Sequence, residues 1–203
     1  MAHRIYALAA IAASGLALAS TQASADTVYD FGSVPQGTTV TPYTLDGATF
    51  DSPQGPGAFT FGPNGNLYST LGPNVLSSAG NAATLTITFA TAQTGLSFDA
   101  AMGDFLQLNG NDSITVTTNA GVNQTLAPII PAGSGDSYPQ AMFSLAGAAP
   151  FTFVTISAAD AAGAESLAIA DMNSTPVPLP ASIWLFASAL AGLGVRRVAR
   201  KAA

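Results

Sequence analysis

Cysteine is absent from the 203-residue chain. Disulfide bonds are therefore excluded, and any folded domain must be held together by a hydrophobic core. Residues 26–175, about 150 positions, are enough to bury one such core. We expect a single core-forming domain between the two ends of the chain.

Cationic side chains are also absent from residues 26–175. The only histidine is His3, and the five basic residues are Arg4, Arg196, Arg197, Arg200 and Lys201. All 11 acidic residues lie between these ends, so residues 26–175 carry a formal side-chain charge of −11. Nucleic-acid binding is excluded because it needs basic groups to neutralise phosphate. Non-specific adhesion to anionic lipid is disfavoured for the same reason.

The missing side chains also restrict catalysis. Because residues 26–175 contain no His, Cys or Lys, a Ser-His-Asp triad, a Cys-His pair, a Ser-Lys dyad and a His-ligated zinc are all impossible within this domain. A pair of carboxylates acting on a glycosidic bond is the chemistry that remains. We expect a protein that is not an enzyme, with a carboxylate-based glycosidase as a weaker alternative.

What is present between the ends is typical of β-structure. Thr84 to Phe89 alternates so that Leu85, Ile87 and Phe89 share one face, and Ser113 to Thr117 alternates in the same way. Strands are predicted at 27–34, 38–45, 58–61, 83–90, 95–100, 105–108, 113–118, 124–126, 142–145, 151–157 and 167–172. Many short strands separated by turn residues predict an all-β fold, a single jelly-roll-like β-sandwich.

The segments between these strands are harder to assign. Residues 51–81 are rich in Pro and Gly and predict long loops with one or two strands. Asn109-Gly110 is a hairpin signal. Residues 158–164 are interpreted as a loop or one helical turn, and residues 173–177 as a short stalk.

The N-terminus has the pattern of a secretory signal peptide, residues 1–25. A short basic start precedes the apolar run Ile5 to Leu18, and Ala23-Ser24-Ala25 is a small-x-small cleavage site. We expect signal peptidase to recognise Ala23 and Ala25 and to cut after Ala25, so that the mature chain begins at Asp26.

The C-terminus, residues 176–203, combines three features. A proline-rich element comes first (Val177, Pro178, Leu179, Pro180, Ala181), and residues 179–195 carry no charge. That run makes about 26 Å of helix, close to the roughly 30 Å of a bilayer core. We therefore predict a transmembrane helix at about 180–195. The basic cluster Arg196, Arg197, Arg200 and Lys201 follows, and the positive-inside rule keeps this end cytoplasmic while the domain before it is exported.

Motif, apolar helix and basic cluster in this order resemble the PEP-CTERM sorting signal, in its VPLPA variant. Leu179 stands where the commoner form has Glu, which indicates that subgroup. The resemblance implies a bacterial exosortase that recognises and cuts the signal, with the helix as a temporary membrane anchor. It also implies export from the cytoplasm, anchoring at the inner membrane, and later residence at the cell surface or in an exopolysaccharide or biofilm matrix.

Two kinds of binding residue are candidates within the domain. Hard oxygen ligands favour calcium: candidates are Asp104, Asn109, Asn111 and Asp112 around one hairpin, or Asp30 with Asp171 if the first and last strands pair. Sugar sites combine an aromatic platform with amide or carboxylate groups, and Tyr68 and Tyr138 lie in loop-like segments. Glycosylation sequons begin at Asn111, Asn123 and Asn173.

The leading functional hypothesis is a structural or adhesive matrix protein, and the alternative is a calcium-dependent carbohydrate-binding module of jelly-roll type.

Overall fold

The structure is a computed structural model that describes residues 25–80, 84–103, 112–132, 138–160, 163–164 and 166–178. The predicted signal peptide up to Ser24, the C-terminal helix and the basic cluster lie outside these ranges, as do Leu179, Pro180 and Ala181. Within the described ranges, no helix has the length and apolar character needed to cross a bilayer.

The described chain is all-β. Its strands are β1 Thr27–Val28, β2 Tyr43–Leu45, β3 Ala48–Asp51, β4 Phe59–Pro63, β5 Asn74–Ser78, β6 Thr84–Met102, β7 Ser113–Thr118, β8 Asn123–Leu126, β9 Gln140–Leu145, β10 Phe151–Asp160, β11 Gly163–Ala164 and β12 Leu167–Pro176. A short 3-10 helix, Phe31–Ser33, follows β1.

Strand β6 belongs to both layers of the fold. Its first half pairs with β3 on one side and β10 on the other, and β10 continues to β7 and β8. Its second half pairs with β9 and β12, and β12 continues to β5 and β4. We call these the first and second sheets. One hydrophobic cluster joins the inner faces of both sheets, so their arrangement is sandwich-like.

The core forms from the alternation that the sequence shows. Leu85, Ile87 and Phe89 are all buried, as predicted from one face of β6. Beside them Phe50 is fully buried, and the rings of Tyr29, Phe31 and Phe61 meet it edge-on. Edge-to-face packing of this kind contributes about 0.5–1.5 kcal/mol per pair beyond the buried area.

The first and last strands close the domain. β1 pairs antiparallel with β12, with Thr27 opposite Ser174. The Tyr29 hydroxyl lies 2.9 Å from Ser174 Oγ in a buried contact, and burial raises the pKa of Tyr29. At the surface, Thr175 Oγ1 donates to the Asp26 carboxylate at 2.8 Å. The first and last strands therefore pair, which was the condition for considering Asp30 together with Asp171.

Several predicted element boundaries are wrong. The strand predicted at 27–34 stops at Val28, because the Asp30 side chain accepts from the Gly32 N–H and caps the 3-10 helix. Strand β3 was not predicted. It pairs with β2 across a tight hairpin turn in which Asp46 and Gly47 have positive φ angles. The two strands predicted at 83–90 and 95–100 are one continuous strand, β6.

Two segments interpreted as irregular are strands. Residues 158–160 extend β10, and β11 pairs back onto them, so the predicted loop or helical turn is wrong for 158–160 and 163–164, while 161–162 lie outside the described residues. The predicted stalk is wrong as well, because residues 173–176 are the last part of β12. The predicted strand at 105–108 and the Asn109-Gly110 turn lie outside the described residues.

Candidate functional site

The outer face of the second sheet carries a polar and apolar mixture of side chains. Alternation along β6 buries Phe98 and Ala100 in the core and places Asp99 and Ala101 on the outer face. The strand register sets Asp99 beside Met142 of β9 and Ala170 of β12. In the next row Ala101 lies between Gln140 and Ala168.

The loop between β4 and β5, residues 64–73, folds over this face. Its shape is set by Asn64, whose Nδ2 donates to the carbonyls of Tyr68 at 2.8 Å and Leu71 at 3.0 Å, while its Oδ1 accepts from the Tyr68 N–H at 3.0 Å. Leu71 packs with Val75 and the outer-face alanines in a small second core, and Tyr68 lies against it. The loop is thus fixed by a buried amide and by apolar contact.

Tyr68 and Tyr138, two separate candidates in the sequence, are brought together. Their ring centroids are 5.3 Å apart with an interplanar angle of 67°, an edge-to-face contact. Both side chains are half-buried. Burial raises the pKa of Tyr68, and the nearby Tyr138 adds to the increase. The pair offers a rigid aromatic surface with hydroxyl groups attached.

A cleft of about 410 Å³ adjoins the loop at β9. Its polar end is formed by Gln140, whose Oε1 accepts from the Thr70 N–H at 2.9 Å and from Thr70 Oγ1 at 2.6 Å. Its walls are mostly apolar, and they include Met142, 72% exposed, and Ile129, 65% exposed. Asp99 also lines the cleft.

Asp99 lies in an unfavourable environment for a carboxylate. Burial raises its pKa, and the nearby carboxylate of Asp171 raises it further. Asp171 occupies a β-bulge of β12 with φ 51° and accepts a hydrogen bond from the Gly72 N–H at 2.8 Å. Residues 26–178 contain no Lys, Arg or His, so no side-chain cation of this segment compensates either charge.

The calcium candidates are dispersed rather than joined into a ligand set. Asp30 caps the 3-10 helix and Asp171 accepts from Gly72, so each carboxylate binds a different backbone N–H. Asp112 is buried just before β7, while Asp104, Asn109 and Asn111 lie outside the described residues. Among the described residues there is no group of three or more His, Cys, Asp or Glu. Calcium binding stays a prediction without a described geometry.

The sequons differ in exposure. Asn123 is exposed at the start of β8. Asn173 lies within β12, where its Nδ2 donates to the Asp171 carbonyl and the following Ser174 is buried. Of the two, Asn123 is the accessible position on the folded domain.

Four residues of this site were not predicted from the sequence: Asp99, Thr70, Gln140 and Met142. The alternation along 95–100 already places Asp99 on the face opposite Phe98. The contact of Thr70 with Gln140 spans 70 residues of chain, and no local pattern indicates it.

No family model matches the chain, and no curated protein matches it. Solved structures do. One is the K2 cleaved adhesin domain of Lys-gingipain, with 14% identity over 75% of this chain and 99% of that one, at a TM-score of 0.45. The K1 domain of Lys-gingipain from Porphyromonas gingivalis W83 has 8% identity over 76% and 99%, also at 0.45. A family 29 carbohydrate-binding module has 11% identity over 75% and 92%, at 0.39. Likeness at this level carries no argument about function.

Proposed function

We propose that this chain is an exported, non-enzymatic bacterial surface or matrix protein that binds polysaccharide on the outer face of its second sheet. The observation that carries this proposal is the packed Tyr68–Tyr138 pair, each ring two residues from a residue, Thr70 or Gln140, that lines a cleft with a carboxylate and a carboxamide. A binding role agrees with a site that is concave, largely apolar and supplied with a few fixed polar groups.

Different residues of the site would make different contacts with a bound sugar. The tyrosine rings and the Met142 side chain offer apolar surface for the C–H face of a pyranose ring. The Asp99 carboxylate is an acceptor for sugar hydroxyl groups. Because Asn64 and the Thr70–Gln140 contact hold the loop in place, little conformational freedom is lost when a ligand binds.

Delivery to the outside is part of the same proposal and is supported by the sequence motifs. The signal peptide directs export, the helix at about 180–195 holds the chain briefly in the inner membrane, and an exosortase acts near 177–181. Val177, the first residue of the motif, follows β12 directly, and its N–H donates to the Ala92 carbonyl. The jelly-roll connectivity of the sandwich is likewise proposed. Mass spectrometry of the protein from its native cells should find a chain that begins at Asp26 and ends close to residues 177–181.

Polysaccharide pull-down and glycan arrays test the binding site. Tyr68→Ala or Tyr138→Ala should weaken binding about tenfold, which corresponds to about 1.4 kcal/mol for a lost aromatic contact. Phe153→Ala is the matched control, since Phe153 is a 37% exposed aromatic residue on the first sheet. Binding that both tyrosine variants retain would contradict the site and leave only the structural matrix role. Turnover of a chromogenic glycoside would instead favour the glycosidase.

A further inference from the structure

The cleft beside β9 contains a negative charge that the described chain does not neutralise. Asp99 is half-buried between the outer-face side chains of Met142 and Ala170, with Asp171 close enough to act on it through its charge. The segment 26–178 has no cationic side chain that could pair with Asp99. A half-buried carboxylate with a like charge nearby is stabilised when a ligand brings the opposite charge.

The surroundings of Asp99 restrict what that ligand can be. Met142 and Ile129 form exposed apolar walls, and Thr70 and Gln140 form a polar end whose carboxamide oxygen already accepts two hydrogen bonds. A calcium ion takes six to eight oxygen ligands, and Asp99 is the only carboxylate among the described residues that line the cleft. A ligand that combines one cationic hydrogen-bond donor with an apolar ring surface can pair with the Asp99 carboxylate and pack against the apolar walls.

We propose that this cleft binds the free amino group of an amino sugar, so that the preferred polysaccharide contains deacetylated hexosamine units. The ammonium group donates to the Asp99 carboxylate, and the ring C–H groups pack on Met142 and Ile129. This inference rests on the proposed function, because it names the class of sugar for the same face of the second sheet.

Titration calorimetry with three oligomers of equal length tests the inference on the protein as recovered from expressing cells. The probes are glucosamine oligomers, their fully N-acetylated counterparts and cello-oligosaccharides. We expect the glucosamine oligomer to bind about tenfold more tightly than the acetylated one, as for one charge-assisted hydrogen bond.

Two variants should abolish this preference while leaving the fold intact, as checked by melting. Asp99→Asn removes the charge at nearly constant shape. Met142→Lys places an internal ammonium opposite Asp99, because the two residues are cross-strand neighbours and Met142 is largely exposed. In both variants the affinity ratio between the amine and its acetylated counterpart should fall to about one.

Asp46→Asn is the matched control. It makes the same change in net charge, and Asn tolerates the positive φ of this exposed turn position. The amine preference should survive in this variant. If Asp46→Asn reduces the preference as much as Asp99→Asn, the oligomer is held by the overall charge of the domain and the inference is overturned.

The remaining outcomes separate the two proposals. Tyrosine-dependent binding of all three oligomers with equal affinity overturns the amine inference and leaves the proposed function standing. Failure of every oligomer to bind counts against both. Asp99-dependent binding of Ca²⁺ with no preference for the amine identifies the cleft as a metal site and overturns the inference.

Discussion

At the scale of single residues, Asp99 links stability to pH. Its folded pKa is raised by burial first and by Asp171 second, so the folded state holds its proton at a pH where the unfolded chain has released it. Since the unfolded state then binds fewer protons, stability falls as pH rises from the ordinary aspartate value through the raised folded pKa.

Asp99→Asn should therefore stabilise the domain at neutral pH. At pH 3 the substitution should make little difference to stability, because the protonated Asp99 side chain of the parent and the Asn side chain of the variant are both uncharged. The gain should be below about 1 kcal/mol, because solvent screens a half-exposed carboxylate. Urea unfolding at the two pH values measures it. A variant that is less stable than the parent at pH 7 would show that Asp99 makes a favourable contact in the free protein.

Asp99 also shows how far local patterns reach. Its place on the outer face follows from alternation with Phe98, which the sequence displays. Its partial burial and its nearby like charge do not follow from the local sequence, because they depend on Met142 and Asp171, which come from other strands. The same holds for Tyr68 and Tyr138: the sequence indicates that each lies in a loop, and only the fold makes them a pair.

At the scale of elements, β6 is the strand on which both sheets are built. The sequence predicted two strands, at 83–90 and 95–100, yet the chain passes through residues 91–94 as one strand. Just after them, Gly95 lies between Thr175 and Leu145 of the neighbouring strands. An added Cβ at Gly95 would lie 2.7 Å from Thr175 Oγ1 and 3.2 Å from the Leu145 carbonyl oxygen. This crowding explains a glycine inside a strand.

Gly95→Ala should destabilise the domain by about 1–3 kcal/mol, the usual cost of overpacking. Gly62→Ala in β4 is the control, because an added Cβ there meets nothing within 4 Å. Thermal melting of both variants compares them. Equal melting temperatures would mean that β12 shifts aside at no cost.

At the scale of the whole molecule, the compact unit runs from Ala25 to Val177. Its ends are tied together, since β1 lies against β12 and the Asp26 carboxylate accepts from Thr175. After β12 ends, the Val177 N–H donates to the Ala92 carbonyl of β6 at 2.8 Å. The predicted processing motif therefore begins with the last residue of this compact unit.

A chain that ends at Pro178 should keep its melting temperature, because every strand pair of the described domain is retained. A chain that ends at Met172 should lose at least about 3 kcal/mol, since it lacks the last four residues of β12, the pairing of β12 with β1 and the hydroxyl partner of Tyr29. Circular dichroism melts of the two truncated chains test this. An unfolded chain ending at Pro178 would show that residues 179–203 contribute to stability.

Composition and alternation alone determined that this is an all-β, cysteine-free domain with no internal cation, because these properties depend on residue type and on neighbours two positions apart. Only the tertiary structure decided that β6 serves both sheets and that the chain closes through β1 and β12. It alone also placed Tyr68, Tyr138, Asp99 and Gln140 on one face. Those contacts join residues tens of positions apart, and their free energy comes from burial and register, which exist only once the chain has folded.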